Sequence, residues 1–259
     1  MLPNFFKPTK SLRSNLVRIG PKRDGGYVID KRVIKKTKKI ITCGLNDDWA
    51  FEKNFIQNNK ECTIQAYDHT VNNKFWIKRL KKDIISFLKL KKLTPIKIYN
   101  IFKYLEYRIF FSKKNKHFQK KIVANKKNYK EETINSILTD LDNIILKVDI
   151  ENDEYKILND INKNNNKINL LIIEFHQVNK NLKKIRKFIS KSNLKIIHIH
   201  ANNFGGVDNI GMPTTLEITF LNNKKFKIKN VKSNEKYPIE GLDFKNHRSK
   251  EEINLRFHD

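Results

Sequence analysis

The run IILKVDIENDEYKILNDI, residues 144–161, is the clearest indication of the fold class. Its first six residues, 144–149, are apolar except for Lys147 and predict a β-strand that ends on the carboxylate of Asp149. Residues 152–161 then predict a helix. A strand that passes directly into a helix is the repeating unit of a parallel sheet covered by helices. This stretch therefore predicts an α/β fold.

Further strand-like runs lie on both sides of it. INLLIIEF (168–175) is the most continuous apolar run, as expected for a strand buried on both faces at the centre of a parallel sheet. The other predicted strands are KIITC (39–43), TIQAYD (63–68), NLKIIHIH (193–200), LEITFL (216–221) and, more weakly, KIVAN (121–125). The last two main runs, 193–200 and 216–221, lack a crossover helix between them. We therefore predict a doubly wound, mostly parallel seven-stranded sheet whose final strand is antiparallel, which is the strand inventory of class I S-adenosylmethionine (AdoMet) methyltransferases.

The length of 259 residues and the hydrophobic content of 39% suit one sizeable core. We predict a single domain over 1–259, in which 1–38 form an N-terminal flank. Residues 72–120 fit no β pattern and predict a basic helical insertion, with apolar side chains at helical spacing: Phe75, Trp76, Leu80, Ile84, Phe87 and Leu88. Either this insertion is a lid whose apolar stripe packs on the domain, or its Lys-rich faces lie against anionic lipid or a charged polymer.

The formal net charge of +27 and the pI near 9.9 would ordinarily indicate a nucleic-acid or anionic partner. However, Lys, Asn and Ile are over-used along the whole chain, which favours a compositional bias and an ordinary solvated surface. An anionic membrane surface is the second interpretation, and nucleic acid is disfavoured. The sequence does not indicate the oligomeric state.

Cys43 and Cys62 have no metal-binding spacing and are predicted to be small buried hydrophobes in a reducing compartment. The first twenty residues lack the apolar core of a signal peptide, and no run approaches the length of a membrane-spanning helix. We expect a cytoplasmic protein, with peripheral membrane association as the alternative.

Polar residues close the predicted strands, and in an open parallel sheet the ligand binds at that edge. Gly44 would allow a ligand close to the backbone, and Asp68 is placed to accept hydrogen bonds from the ribose hydroxyls of an adenosine ligand. A full G-x-G-x-x-G motif is absent, which disfavours a dinucleotide. The predicted cofactor-binding residues are Gly44, Asn46, Asp68, His69 and Asp149.

The positive charge of AdoMet is a second reason to prefer it over a dinucleotide. Carboxylates near the cleft, such as Asp47, Asp48 and Asp149, favour its positive sulfonium. For Asp47 and Asp48 an equally good interpretation is that they are negative charges at a helix N-terminus.

The segment ILKVDIENDEYKIL (145–158) resembles the hallmark of the FkbM-type methyltransferase family, in which the fourth strand ends in K-(I/V)-D-(I/V)-E-G-x-E. Lys147, Asp149, Glu151 and Glu154 match this pattern, and Asn152 replaces the usual glycine. Asn is the next most tolerant residue for a left-handed backbone. RIGPKRDGGYVID, CGLNDDWAFE, AYDHT, LIIEFHQV and IHIHANN also resemble blocks of this family. The resemblance implies AdoMet-dependent O-methylation, often of sugars.

Methyl transfer requires alignment of the acceptor oxygen and removal of its proton. His176 is the first candidate base, because it ends the central strand and an unperturbed imidazole has a pKa of about 6.5. Substrate hydrogen bonding and a structural role are the alternatives. Glu151 and His200 are predicted to act with His176 on the acceptor.

Two further histidine and carboxylate predictions concern the same edge. Glu174 is expected to be a buried carboxylate that needs a partner. His198 and His200 share a face and could complete a metal site with Asp149 or His176, although a hydrogen-bonded core role is favoured for His198 and no metal is predicted.

The sequence thus predicts an AdoMet-dependent O-methyltransferase that acts on a sugar, a glycan or a similar small-molecule hydroxyl. A nucleic-acid methyltransferase is the second hypothesis, weakened by the absence of an N-P-P-Y-type motif. A non-enzymatic basic scaffold at an anionic membrane is the third.

Overall fold

The computed structural model describes residues 1–11, 13–88 and 95–258. The strands in this part of the chain are β1 (Leu2–Pro3), β2 (Leu16–Ile19), β3 (Tyr27–Asp30), β4 (Lys39–Cys43), β5 (Thr63–Tyr67), β6 (Lys116–Phe118), β7 (Lys121–Ile122), β8 (Glu131–Glu132), β9 (Ile144–Val148), β10 (Ile168–Phe175), β11 (Leu194–Ala201), β12 (Leu216–Asn222) and β13 (Phe257–His258). The helices are α1 (Ala50–Asn58), α2 (Asn73–Leu88), α3 (Pro95–Phe110), α4 (Ile134–Ile137), α5 (Glu154–Lys163), α6 (Val178–Lys191) and α7 (Asn223–Phe226).

Seven strands form one sheet in the order β11-β12-β10-β9-β4-β5-β6. All neighbouring pairs are parallel except those of β12, which is antiparallel to both β10 and β11. The predicted α/β class, the seven-stranded mostly parallel sheet and the antiparallel final strand are therefore confirmed.

The edge strand β6 corrects the sequence prediction. KIVAN was expected to be the seventh strand, but only Lys121–Ile122 is extended, and it pairs with β8 outside the main sheet. The sheet edge is formed instead by Lys116–Phe118, which pairs with β5. Lys116 is exposed, and His117 and Phe118 are partly buried. Charged edge strands lack the apolar alternation that a pattern search detects.

The central strands and the helices over them are built from apolar runs and stripes. Every residue of β9 and β10 is buried. Helix α6 turns its Lys-rich face to solvent and buries Val178, Ile185 and Phe188. The hydrophobic core also includes Leu2 and Phe6 of the N-terminal flank. The flank therefore packs on the core that the sheet forms.

Helices α2 and α3 pack against each other as a helical hairpin, which lies within the predicted 72–120 insertion. It contacts the sheet domain through a group of rings that we call the aromatic anchor. Its members are Trp49, Trp76, Tyr104, Tyr107, Phe110 and Phe111. The predicted apolar packing of the insertion is present at Phe75 and Trp76, whereas Ile84 and Leu88 are exposed. Residues 89–94 and the side chain of Phe87 lie outside the described part of the chain.

Two further predictions concern the cysteines and membrane-spanning helices. Cys43 and Cys62 are both buried and free, as predicted. No helix among residues 1–11, 13–88 and 95–258 is both long and apolar enough to cross a bilayer.

Candidate active site

A cleft of ≈ 430 Å³ opens at the carboxyl ends of β4, β5 and β9. Segment 120–122 closes one side of it. The five residues predicted to bind the cofactor all line this cleft: Gly44, Asn46, Asp68, His69 and Asp149. Parallel strands place their carboxyl ends at one edge, so residues far apart in sequence meet there.

The end of β4 lies in close contact with the end of β9. Gly44 has φ +83, and a Cβ at this position would lie 1.7 Å from the carbonyl oxygen of Asp149. The amide of Asp149 donates to Cys43 at 2.8 Å, and the amide of Gly44 donates to Tyr67 at 2.9 Å. Glycine is therefore required here by the approach of the neighbouring strand, and the base of the cleft is fixed by backbone hydrogen bonds.

Asp68 organises the loop that follows β4. Its Oδ2 accepts hydrogen bonds from the amides of Leu45 and Asn46, each at 2.9 Å. Its Oδ1 accepts from the amide and hydroxyl of Thr70 at 2.8 and 2.6 Å. Burial alone would raise the pKa of Asp68, but these hydrogen bonds lower it. A carboxylate has about four lone-pair sites, so a ribose hydroxyl would have to replace the Thr70 hydroxyl.

The two carboxylates after Asn46 face away from the cleft. Asp48 accepts a hydrogen bond at 2.8 Å from the amide of Ala50, the first residue of α1, which agrees with the interpretation of Asp48 as a negative charge at a helix N-terminus. Asp47 pairs with Arg79 and lies 3.5 Å from Lys103, which ties the loop to the helical hairpin. Neither carboxylate lines the cleft in which a sulfonium would lie.

Four carboxylates surround His176 at the ends of β9 and β10. We call this group, Asp149, Glu151, Glu154, Glu174 and His176, the acidic cluster. The ring Nε2 lies 3.4 Å from Glu174, 3.5 Å from Glu151 and 3.9 Å from Asp149. The ring Nδ1 lies 3.4 Å from Oε1 of Glu154, which also accepts the His176 amide at 2.8 Å. Both sides of the imidazole thus face carboxylates.

This environment alters the expected chemistry of His176. Burial alone would lower the pKa of the imidazole, but the contacts with Glu154 and Glu174 raise it to about 11. Burial raises the pKa values of Asp149 and Glu174, and the neighbouring negative charges of Asp149 and Glu217 also raise the pKa of Glu174. The contacts with these carboxylates favour the protonated form of the imidazole, and the role of His176 as a base stays a prediction.

His200, which was predicted to act on the acceptor, does not line the strand-end cleft. It is buried on β11, with Nδ1 3.3 Å from Glu217 and Nε2 3.1 Å from Glu252. Burial alone would lower its pKa, but these hydrogen bonds raise it to about 10. Both ring nitrogens are engaged, so no free acceptor site remains for a substrate proton.

Other predicted residues find partners within the fold. His198 pairs with Asp243 at 3.1 Å and is buried, as expected for a core role, so the alternative metal site with His200 does not form. Glu174 is buried and accepts a hydrogen bond from Asn202 at 3.1 Å, which supplies the partner it was expected to need. Asn152 has φ 74 and adopts the left-handed conformation predicted for the position of the family glycine.

The buried partner of Lys147, Glu52, was not predicted from the sequence. Glu52 on α1 is fully buried, accepts a hydrogen bond from Thr42 at 2.7 Å and lies 3.1 Å from Lys147 Nζ. Lys147 also lies over the rings of Tyr27 and Phe51. A lysine inside an otherwise apolar strand signals that a carboxylate partner must exist, but the sequence does not identify it.

Comparisons with known proteins add little to this geometry. No family model matches the chain, and no curated protein does. Similar solved structures include the pre-rRNA processing protein fibrillarin of Methanococcus jannaschii, with 11% identity, a TM-score of 0.37 and coverage of 73% of this chain and 67% of that one. Another is the precorrin-6y C5,15-methyltransferase of Geobacter metallireducens, with 9% identity, a TM-score of 0.35 and coverage of 74% and 87%. The resemblance to the FkbM family stays a prediction.

Proposed function

We propose that this protein binds AdoMet in the strand-end cleft and transfers its methyl group to a hydroxyl of a sugar, a glycan or a similar small molecule. One observation carries the proposal. Five residues chosen from the sequence for cofactor binding, from three separate strands, line a single cleft of ≈ 430 Å³. Ligand sites for small molecules have volumes of this order.

The charges that line the cleft suit a cationic ligand. The carboxylates of Asp149 and Glu151 line it, and neither pairs with a lysine or arginine among the described residues. The two lysines at its side are already paired, Lys121 with Asp153 and Lys120 with Glu132, each at 2.8 Å. Because these pairs neutralise the two lysine ammonium groups, the lining of the cleft favours a sulfonium over a phosphate.

The residues of the chain would supply orientation and charge. When bound, AdoMet offers a methyl carbon on a positive sulfur, and an acceptor oxygen attacks this carbon in line as the carbon–sulfur bond breaks. Asp68 would hold the nucleoside through the Gly44 loop that it organises. Glu151, whose side chain is 83% exposed at the cleft, would face the acceptor hydroxyl, and the acidic cluster would receive its proton.

Calorimetric titration of AdoMet, in buffer with EDTA, tests the cofactor site. The variants Asp68→Asn and His69→Ala alter the cleft, and Asp142→Asn is the control because its exposed carboxylate pairs with Lys225 elsewhere on the surface. We expect the wild-type protein and the control to bind equally, and Asp68→Asn to bind at least about tenfold more weakly, since one hydrogen bond to a charged group contributes about 1.5–3 kcal/mol. No heat of binding to the folded wild-type protein would overturn the proposal. Equal affinity of all four proteins would do the same.

A further inference from the structure

The acidic cluster contains three side chains arranged as metal ligands. We propose that Asp149, Glu151 and His176 bind one divalent metal ion of the Mn²⁺ class at the side of the cleft. One ligand atom from each lies within 4.8 Å of the others. Ligands at about 2.1 Å from a metal lie about 3 Å apart when adjacent and about 4 Å apart when opposite. Small side-chain adjustments would therefore close the site around an ion.

The orientation of His176 gives independent support. Its Nε2 faces Asp149 and Glu151, while its Nδ1 faces Glu154 on the opposite side. Glu154 is fully buried, and its Oε2 has no hydrogen-bond partner among the described residues. The hydroxyl of Tyr155 donates to the His176 carbonyl, which fixes the backbone. In metal-binding histidines the second ring nitrogen characteristically faces a carboxylate, as Nδ1 faces Glu154 here at 3.4 Å.

The local charge supports a cation as the ligand. Four carboxylates face one imidazole in a chain whose formal net charge is +27. The nearby buried cation, Lys147, is paired with Glu52. Grouping uncompensated carboxylates at a partly buried site is costly, and a divalent ion would offset that cost.

The backbone around the ligands is also unusual. Glu151 has φ 49 and Gln177, which follows His176, has φ 46. Non-glycine residues adopt this left-handed region at a cost, and such residues concentrate at functional sites. These two left-handed residues lie in the turns that carry Glu151 and His176.

The ligand set indicates the type of metal. Two carboxylates and one imidazole, without a thiolate, suit Mn²⁺ and related ions. Glu174, at 3.4 Å from Nε2, is available as a fourth ligand. If the proposed function holds, the ion would bind the acceptor hydroxyl oxygen and promote loss of its proton. This one step rests on the proposed function.

Titration of MnCl₂ followed by electron paramagnetic resonance tests the site, because free Mn²⁺ gives a signal that binding removes. Glu151→Gln removes a ligand charge at a side chain that is 83% exposed, so folding is preserved. Glu251→Gln is the matched control, with a side chain 98% exposed. Glu154→Gln tests the positioning residue, and its expected loss is about 10–100-fold in affinity without any contact to the ion.

We expect one Mn²⁺ per chain in the wild-type and control proteins, and at least tenfold weaker binding by Glu151→Gln. An undiminished free Mn²⁺ signal with the folded wild-type protein would overturn the inference, as would wild-type affinity in Glu151→Gln. The titration contains no AdoMet. It can therefore succeed or fail independently of the AdoMet experiment.

A second inference rests on a separate part of the molecule, the outer face of the helical hairpin. Apolar side chains there are 40–74% exposed: Ile77, Ile84, Ile85 and Leu88 on α2, and Phe102, Leu105 and Ile109 on α3. Their spacing places Ile77, Ile84 and Leu88 on one stripe of α2, and the α3 residues on one stripe of α3. Exposed lysines accompany the stripe on α2: Lys74, Lys78, Lys81 and Lys82.

We infer that this face docks on an anionic membrane surface. An apolar stripe with flanking lysines is the pattern of a helix that lies in the lipid headgroup region. A second copy of the chain would bring two net charges of +27 together, whereas an anionic bilayer attracts each of them. The pairing of Asp47 with Arg79 joins the hairpin to the loop beside Asn46, so docking would hold the cleft near the membrane.

Co-sedimentation with vesicles of phosphatidylglycerol and phosphatidylcholine tests this inference. The double variant Ile77→Ser, Ile109→Ser removes two side chains that are 56% and 67% exposed, and Ile210→Ser, 76% exposed elsewhere, is the control. We expect the double variant to bind at least tenfold more weakly to anionic vesicles, and all proteins to bind poorly to phosphatidylcholine alone. Equal binding of the double variant and the control would overturn the inference. The inference would also be overturned if the wild-type protein formed a dimer that the double variant does not form, and if the wild-type protein did not bind vesicles.

Discussion

Replacing Gly44 by alanine should destabilise the protein through two separable effects. The first is backbone strain, because Gly44 has φ +83, where an L-residue costs about 1–2 kcal/mol. The second is a clash, because the new Cβ would lie 1.7 Å from the Asp149 carbonyl oxygen. Relief of such overpacking requires the ends of β4 and β9 to separate and costs about 1–3 kcal/mol more. We expect a total loss of about 2–5 kcal/mol in the free energy of unfolding.

Gly241→Ala provides the matched control. Gly241 has φ +77, and nothing lies within 4 Å of the position of its Cβ, so this variant carries the strain without the clash. Urea denaturation of both variants would measure the difference, which we expect to be about 1–3 kcal/mol. If Gly44→Ala is no less stable than Gly241→Ala, the ends of β4 and β9 do not lie as close together at the base of the cleft as the 1.7 Å distance indicates.

Three further predictions concern buried charge, pH and backbone conformation. Lys147→Met should lower the free energy of unfolding by about 3–5 kcal/mol because Glu52 is left buried without a partner, whereas Lys53→Met, at an exposed pair, should cost under about 1 kcal/mol; urea denaturation measures both. Contacts with two carboxylates raise the pKa of His200 to about 10, above about 6.5 in the unfolded chain, so its stabilisation is full below about pH 6.5 and declines towards pH 10. His200→Gln should therefore flatten the fall in unfolding free energy between pH 7 and 9.5, and an unchanged slope would contradict the assignment. Asn152→Gly should be neutral or stabilising by up to about 1 kcal/mol, since φ is 74, while Asn152→Ala should destabilise; thermal denaturation distinguishes them.

The central part of the fold was predictable because buried parallel strands are nearly continuous apolar runs. The predicted bounds of KIITC and INLLIIEF coincide with β4 and β10. The edge strand Lys116–Phe118 escaped prediction because an exposed edge needs no apolar pattern. Its position is set by pairing with β5 through the backbone, which side-chain periodicity does not record.

The convergence of the candidate site residues on one cleft was predictable for a topological reason. Every parallel strand ends at the same edge, so polar residues that close strands are brought together whatever their identity. This is why Gly44, Asp68 and Asp149 line one cleft.

The protonation of the two histidines was not predictable. His176 meets Glu154 from the following helix, and His200 meets Glu252 from near the C-terminus. These carboxylates lie 22 and 52 residues away in sequence from the histidines they contact. The pKa of an imidazole depends on such tertiary contacts, and no local pattern encodes them.

The most direct test of the central claim is a crystal structure of the protein grown with S-adenosylhomocysteine, the demethylated product of AdoMet. The account predicts density for the adenosine in the cleft between Gly44, Asp68 and Asp149, with a ribose hydroxyl in place of the Thr70 hydroxyl on Asp68. Density in another cavity, such as the one lined by Trp76 and Tyr104, would contradict the account. So would an empty cleft at a saturating ligand concentration.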